Sequence, residues 1–405
     1  MEQREAPVFV LPDHALCLIL CRLSTADLLR AALACRRWRR AASLSLPRAP
    51  PLLGYFFHPV DTPPRPPAIQ ERRVLYPALF LPFGGPATAA DSPCPCLSLD
   101  FAPDAARGGF HIHDVYLGLL LLLPRNLPEM LVPRILVLDP ASRRRALLPP
   151  PPRDALPGDL WRRTRKAIGV AVLSRAHPSR LSFDAVCFTI DGDRPRAWIA
   201  SVRDGGCTWR ALPRSREVKV NFDPVWFEKR CVHAAGNIYW HICNSNRVLS
   251  LDPRTLEFSY LLAPAQLGKY NKYRIGETPE DGQLCIASAE DEMLQVYVRW
   301  DGIGSDHGWL LVRQMTLRKV FDSEPRLPRK VMDRIASIWL SDIDAGRTGK
   351  VFIRTTGYGR YSFDMETGKL ECLVTDDGQE HGHPIYAYSL AWPPAFLLSS
   401  EEEFN

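Results

Sequence analysis

A motif that recurs at a fixed interval constrains the fold of this chain more than any other feature. Gly236-Asn-Ile-Tyr-Trp has a later counterpart in Gly349-Lys-Val-Phe-Ile. Leu251-Asp252-Pro253-Arg254-Thr255 likewise has a later counterpart in Phe363-Asp364-Met365-Glu366-Thr367-Gly368. Because the offset between the two glycines equals the offset between the two aspartates to within a single position, these motifs indicate a repeated supersecondary block.

The Asp motif has the composition of a hairpin turn. Its carboxylate can accept hydrogen bonds from backbone N–H groups, and proline suits the first corner of the turn. An earlier copy, Leu138-Asp139-Pro140-Ala141-Ser142, precedes the copy at Asp252 by the same interval. Short apolar runs such as Arg134-Ile-Leu-Val-Leu-Asp139 alternate with Gly, Pro and Asp clusters, which indicates a mostly β region.

A β-propeller accommodates such a repeat. One blade takes about 40–50 residues, and the interval from Gly236 to Gly349 is too long for one blade, so it should span two or three. Four-stranded blades arranged in a ring leave few long exposed edges, which suits many evenly spaced strands. About six blades would use residues 52 to 398, although the sequence leaves their number open.

The N-terminal residues have a different, helical pattern. Leu16, Ile19, Leu20 and Leu23 follow the spacing of one helix face. Ser24-Thr25-Ala26-Asp27 has the form of a capping box and predicts a second helix start.

A third short helix is expected from Cys35, with Trp38 and Ala41 on one side and arginines on the others. Three short helices have little core of their own, so their surplus apolar side chains predict a docking surface.

These N-terminal residues resemble an F-box over roughly residues 9 to 45. The likeness rests on Leu11-Pro12-Asp13, Ile19-Leu20, Arg22-Leu23, Asp27-Leu28 and Ala34-Cys35-Arg36-Arg37-Trp38-Arg39. Members of that family bind the Skp-type adaptor of a cullin ubiquitin ligase. By this resemblance, the adaptor-binding residues are Leu11, Pro12, Leu16, Ile19, Leu20, Leu23, Leu28 and Trp38.

The larger region resembles the F-box-associated propeller of plant F-box proteins, which is kelch-like in character. Pro51-Leu-Leu-Gly-Tyr-Phe56 contributes to the likeness. The resemblance implies a substrate-receptor subunit of an SCF-type ligase, which would reach the cullin through the adaptor and hold an unknown target protein on its propeller.

We therefore expect a mainly β chain with a small all-α N-terminal module. The expected domains are the F-box at 1–46, a proline-rich linker at 47–67, the propeller at 68–398 and an acidic tail at 399–405. Only the first part of the proline-rich stretch is interpreted as linker.

Composition favours a folded cytoplasmic or nuclear protein. Apolar residues make up 46% and charged residues 24% of the 405 residues, as in ordinary globular chains. The start, Met1-Glu2-Gln3-Arg4-Glu5, lacks the pattern of a signal peptide. The apolar run Leu117–Leu123 is too short to span a bilayer and reads as a buried strand. The 11 cysteines show no repeated Cys-x-x-Cys spacing, which fits reduced thiols.

No catalytic, cofactor-binding or metal-binding residues are predicted. Simple nucleotide-binding and hydrolase motifs do not occur in the sequence. His111 and His113 with Cys94 and Cys96 make a zinc site conceivable, but the ligand spacing is incomplete. Asp204-Gly-Gly-Cys-Thr-Trp209 is close to the Asp-box turn of sialidase-type propellers, which indicates fold rather than catalysis.

Three alternatives stay open at this point. The chain could be a propeller interaction module that acts outside a ligase. It could be a propeller glycosidase with carboxylates and arginines at its channel. It could also bind nucleic acid through Arg36–Arg40 and Arg162–Lys166, although the net charge of +6 makes that the weaker expectation. No membrane partner is expected.

Overall fold

A computed structural model describes most of the chain. The described residues are 11–46, 50, 52–61, 76–82, 97–125, 134–151, 168–178, 180–203, 205–267, 273–278, 282–300, 308–344, 349–375, 377–382, 384–392 and 397. None of the helices in these ranges has the length and apolar character needed to cross a membrane.

The N-terminal module contains the three predicted helices, α1 (Asp13–Leu20), α2 (Thr25–Ala32) and α3 (Arg36–Leu44). Helix α2 begins as the capping box predicts, because the Ser24 hydroxyl oxygen accepts a hydrogen bond from the Asp27 N–H at 3.2 Å. Helix α1 ends at Leu20, so Leu23 lies beyond the helix that its spacing predicted.

In the described residues seven sheets follow: five have four antiparallel strands, one has three and one has two. Blade 1 contains β4 (Phe110–Tyr116), β5 (Leu119–Pro124), β6 (Ile135–Asp139) and β7 (Arg144–Leu148). Blade 2 contains β8 (Gly169–His177), β9 (Ser182–Asp191), β10 (Arg194–Arg203) and β11 (Gly206–Ala211). Blade 3 contains β12 (Phe227–Ala234), β13 (Asn237–Ile242), β14 (Arg247–Leu251) and β15 (Phe258–Leu262).

Two more blades have four strands each, and several short helices lie between strands. Blade 4 contains β16 (Tyr273–Glu277), β17 (Leu284–Glu290), β18 (Met293–Arg299) and β19 (Trp309–Thr316). Blade 5 contains β20 (Ile338–Asp344), β21 (Lys350–Thr355), β22 (Arg360–Asp364) and β23 (Leu370–Cys372). The short helices are α4 (Pro103–Ala106), α5 (Arg318–Ser323), α6 (Val331–Ser337) and the 3-10 turns Pro224–Trp226 and Ala265–Leu267.

Blade 6 closes the ring with strands from both ends of the propeller. The C-terminal strand β25 (Tyr386–Ser389) pairs antiparallel with β1 (Leu52–Phe57), which pairs in turn with β3 (Leu79–Pro82). A small second ladder joins β2 (Pro59–Val60) to β24 (Glu380–His381). The six-bladed, mainly β architecture predicted from the sequence is therefore confirmed.

The position of β1 corrects one boundary of the sequence analysis. Strands β1 and β2 lie inside residues 47–67, the range assigned to the linker, so the propeller begins before residue 68. The reason is local: the apolar run Leu52–Phe57 contains no proline, although prolines surround it. Position 54 of this strand requires glycine, because a Cβ there would overlap the Leu81 carbonyl oxygen of β3.

The repeat interval found in the sequence corresponds to two blades. Asp139, Asp252 and Asp364 occupy the turns between the third and fourth strands of blades 1, 3 and 5. Each carboxylate accepts a backbone N–H within its turn, as at 2.9 Å from Thr367 N to Asp364 Oδ1. The predicted chemistry of the motif is confirmed.

The core consists of six apolar clusters, one at each interface between neighbouring blades. The run predicted as a buried strand is β5, whose five leucines are all buried. At the junction of blades 6 and 1, Tyr388 is fully buried and meets Phe56 edge to face, with ring centroids 5.3 Å apart.

Buried histidines also support the closure. His58 follows β1, and its Nε2 accepts the Ile112 N–H of blade 1 at 3.0 Å, so the imidazole is held neutral. Burial lowers the pKa of His58 to about 4. His381 of β24 stacks on Phe57 at 3.9 Å between ring centroids, and burial likewise lowers its pKa to about 4.

We predict that Tyr388→Ala destabilises the propeller by about 3–5 kcal/mol, because it leaves a cavity between the closing blade and blade 1. Trp300→Ala is the control, since that ring is half exposed. Denaturant unfolding followed by tryptophan fluorescence measures both. Equal effects of the two substitutions would contradict this role for Tyr388.

We also predict that stability falls as the pH drops from about 6.5 to about 4. The unfolded chain protonates His58 and His381 near their ordinary pKa of about 6.5, whereas the folded chain does so only near pH 4. The unfolded state therefore binds more protons in that window, at roughly 1.4 kcal/mol per pH unit for each histidine. His381→Phe keeps a ring against Phe57 and should reduce the slope of unfolding free energy against pH by that amount. An unchanged slope would show that His381 does not contribute to the pH dependence.

Candidate functional site

The helical module has an internal core of its own. Leu16 and Leu20 of α1 meet Leu28 and Ala32 of α2 and Ala41 and Ala42 of α3, and all six are buried. Trp38 of α3 packs against this cluster, and so does Leu397, which comes from the C-terminal end of the described chain. The module is thus folded around small residues on α3 and leucines on the other two helices.

Large apolar side chains remain on the outside of this core. We define the docking face as the exposed residues Leu11, Leu18, Ile19, Leu23 and Leu33 together with Pro12. Ile19 is 42% exposed and Leu18 is 64% exposed, although their helix neighbours Leu16 and Leu20 are fully buried. An apolar surface of this kind on a small module is a candidate interaction site.

Arg37 holds the start of the docking face in place. Its Nε donates to Asp13 Oδ1 at 2.8 Å, and its guanidinium also donates to the Leu11 carbonyl. Since the Leu11-Pro12-Asp13 turn is tied to α3 in this way, one arginine of the predicted cluster has a structural role. Arg162–Lys166, the second basic run, lies outside the described residues.

The predicted adaptor-binding residues fall into two groups. Leu16, Leu20 and Leu28 belong to the internal core, and Trp38 is half-buried against it. Leu11, Pro12, Ile19 and Leu23 lie on the surface. Adaptor contact is thus a prediction for the surface group, while the buried leucines shape the module that presents it.

The second candidate region is the propeller channel, where the first strands of blades 1, 3, 4 and 5 meet β25 of blade 6. A cavity of about 120 Å³ opens there. Its lining includes Asp114 and Tyr116 of β4, Arg230 and His233 of β12, and Asp342 of β20. The cavity lies at the end of the channel where the first two strands of each blade are joined.

Asp114, Cys231 and His233 form a compact group in this cavity, which we call the channel triad. His233 Nε2 lies 3.0 Å from both carboxylate oxygens of Asp114 and 3.9 Å from Cys231 Sγ. Asp114 Oδ2 also accepts the Val172 N–H of blade 2 at 2.7 Å. Burial and the Asp114 carboxylate raise the pKa of the Cys231 thiol well above its usual value.

Two ion pairs link the first strands around the channel. Arg230 pairs with Asp342, and Arg274 pairs with Glu228 at 3.0 Å. Burial raises the pKa of Asp342, and the nearby Arg230 offsets this only in part. Both carboxylates are thereby engaged by cations from the first strands of other blades.

The histidine pair considered for zinc is brought together, but without its expected partners. The His111 and His113 rings lie 4.3 Å apart between centroids. Burial lowers the pKa of His111 to about 4 and that of His113 well below its usual value, the latter with help from His111. Cys94 and Cys96 lie outside the described residues, and no described thiol completes that set.

Three of the eight tryptophans in the described part of the propeller are packed in its core. Trp198, Trp240 and Trp309 are buried. Trp226, between blades 2 and 3, is 44% exposed, and Trp300, between β18 and β19, is 50% exposed. These two rings are the described tryptophans available to a partner.

Sequence reasoning missed the channel triad. Cys231 and His233 alternate on one strand, and that spacing was visible, but Asp114 lies 119 residues from His233 and reaches it only through ring closure. The sequence also grouped Ile19 and Leu23, which are exposed, with Leu16 and Leu20, which are buried.

Comparison with known families decides the classification. Residues 8–46 match the F-box-like family, and residues 129–396, more than half of the chain, match the family described as F-box protein AT5G49610-like, beta-propeller. This chain belongs to that family of F-box proteins. The F-box resemblance and its plant-type propeller are confirmed, and the architecture is that of the substrate-receptor type; the kelch-like character is not confirmed.

Curated proteins and solved structures add little for this F-box protein. No curated protein matches it. The Penicillium chrysogenum α-L-arabinanase complexed with arabinobiose covers 68% of this chain and 83% of its own at 11% identity, with a TM-score of 0.38. The Myceliophteria thermophila Cps50 (Swd1) β-propeller domain covers 67% of this chain and 77% of its own at 12% identity, with a TM-score of 0.34. No conclusion rests on likenesses this distant.

Proposed function

We propose that this F-box protein is a substrate-receptor subunit of an SCF-type cullin ubiquitin ligase. The docking face would bind the Skp-type adaptor and through it the cullin, while the propeller would hold a target protein. The observation that carries the proposal is the exposure of Leu18, Ile19 and Leu23 on a module whose own core is already closed.

Burial of the docking face against a partner supplies the affinity. Large apolar side chains that become fully desolvated at the centre of an interface dominate binding energy, whereas rim residues contribute little. Because Arg37 fixes the Leu11-Pro12-Asp13 turn, less conformational freedom is lost there on binding. The internal leucines keep α1 and α2 in the arrangement that presents the face.

The propeller serves as a rigid target platform. Its blades form a closed ring, so the described turns at its two ends are displayed on a rigid frame. Trp226, beside the exposed Val225, and Trp300 lie on opposite ends of the ring, because one precedes a first strand and the other follows a third. Exposed aromatic side chains are frequent anchors in protein interfaces.

The mechanism is tethering. Attachment of the target to the same assembly as the ubiquitin-transfer machinery raises its effective concentration, and this accelerates transfer without any new chemical group. In this account the chain itself makes and breaks no covalent bond, and it works in the cytoplasm or nucleus, where the ligase acts.

The glycosidase alternative has one observation in its favour, because carboxylates and an arginine do line the channel. Their contacts point elsewhere: Asp342 pairs with Arg230, Asp114 accepts from Val172, and Glu277 accepts the Ala235 N–H at 2.6 Å. The cavity of about 120 Å³ is also smaller than the roughly 300–1,000 Å³ of ligand pockets. The receptor function therefore has the better support.

We predict that Ile19→Asp weakens binding to a purified Skp-type adaptor by at least about 30-fold, which corresponds to roughly 2 kcal/mol. The reason is that a carboxylate would be desolvated in an apolar interface. Leu147→Asp is the matched control, because that leucine is 52% exposed on the outer strand of blade 1. Calorimetric titration of the full chain measures the affinity.

A second pair of variants separates contact from folding. Leu16→Asp places a charge in the module core and should lower helicity, whereas Ile19→Asp should leave the circular-dichroism spectrum unchanged. If neither Ile19→Asp nor Leu23→Asp weakened adaptor binding, the proposal that the docking face binds the adaptor would be refuted. Turnover on a glycoside panel would instead support the enzyme alternative.

A further inference from the structure

The channel triad joins three side chains that are separated widely in sequence. Asp114 comes from β4 of blade 1, while Cys231 and His233 come from β12 of blade 3. Their ligand atoms all lie within 4.8 Å of one another. Asp114 and Cys231 are buried and His233 is half-buried at the wall of the cavity.

The spacing within the triad is that of a coordination shell. Zinc bonds of about 2.0–2.3 Å in a tetrahedral site place ligand atoms roughly 3.3–3.6 Å apart. The distances of 3.0 Å from His233 Nε2 to the Asp114 oxygens and 3.9 Å to Cys231 Sγ fall on either side of that range. Shifts of a few tenths of an ångström would bring these two distances into the range, and the Asp114 and Cys231 ligand atoms lie within 4.8 Å of each other.

The surroundings hold the three side chains in place. The His233 ring stacks on Tyr116 with centroids 3.8 Å apart and planes within 4°. Val172 N fixes one Asp114 oxygen. The pairing register shifts between Ile112 and Asp114, and again between Phe227 and Cys231. Bulges of this kind re-aim side chains and recur beside functional sites.

The donor types select the metal. A thiolate excludes magnesium and calcium, which prefer oxygen ligands, and the mixture of thiolate, imidazole and carboxylate suits zinc. On binding, the ion would displace the Cys231 thiol proton, so that the resulting thiolate and the Asp114 carboxylate would balance its charge, while Arg230 is occupied by Asp342. The cavity of about 120 Å³ has room for a water as the fourth ligand.

We propose that Asp114, Cys231 and His233 bind one zinc ion in the propeller channel, where it ties blade 1 to blade 3. Such an ion joins first strands that are not neighbours in the ring, so it acts as a cross-brace. This site is independent of adaptor binding and uses none of the docking face.

The test is zinc uptake by the purified full chain after dialysis against a chelator. Titration with zinc chloride should show one tight equivalent, raise the thermal midpoint and yield an X-ray absorption spectrum with one sulfur at about 2.3 Å among nitrogen and oxygen ligands. Cys231→Ser and His233→Gln should weaken uptake by more than the roughly 10–100-fold that loss of an outer hydrogen-bond partner costs. Cys285→Ser is the control, since that cysteine is buried in blade 4 outside the triad.

Two results would overturn the proposal. One is a folded wild-type chain with no tight zinc equivalent and no change in thermal midpoint. The other is zinc that stays tightly bound in both triad variants, because the ion would then lie elsewhere in the chain. If the triad variants do not fold, the wild-type absorption spectrum decides, and a shell without sulfur refutes the site.

Discussion

The antiparallel pairing of β1 with β25 is the interaction on which the rest of this structure depends. It joins residues 52–57 to residues 386–389 and converts a row of sheets into a closed ring. Without it, blades 5 and 1 would each present an unpaired face, and the apolar clusters that contain Phe56, Tyr388 and Phe352 would be open to water. Closing so long a loop costs conformational entropy, which the buried aromatic contacts offset.

Ring closure also creates the channel. Asp114, Arg230, Asp342 and Tyr386 come from four blades, yet they line one cavity because their strands converge on a common axis. Buried charges are tolerated there because the first strands of other blades supply partners of opposite sign. The helical module stands apart from this arrangement, with a closed core of its own that Leu397 reaches from the C-terminal side.

Local chemistry made much of the fold predictable. The Ser24 cap, the Asp139, Asp252 and Asp364 turns, and the leucine run of β5 depend on nearby residues and were visible as short patterns. The fixed interval between the Asp turns indicated blades, and the structure shows that it covers two of them. Strand β1 was assigned to the linker range because no local pattern reveals its partner. That partner, β25, comes from the opposite end of the propeller sequence.

The candidate sites were less predictable, for a physical reason. Helical spacing grouped Leu16, Ile19, Leu20 and Leu23, but only tertiary packing decides which of them face α2 and α3. The channel triad depends on the circular order of blades, which no local pattern encodes. Family membership identifies the architecture. The partners are inferred from the exposed apolar residues that a binding partner could cover.

Hydrogen exchange of the full chain, alone and with a purified Skp-type adaptor, tests the central claim most directly. The account predicts slower exchange across Leu18–Leu23 on addition of the adaptor, with β1 and β25 unchanged. Unchanged exchange at Leu18–Leu23 with saturating adaptor would contradict it, because the docking face would then not be the surface that meets a second polypeptide.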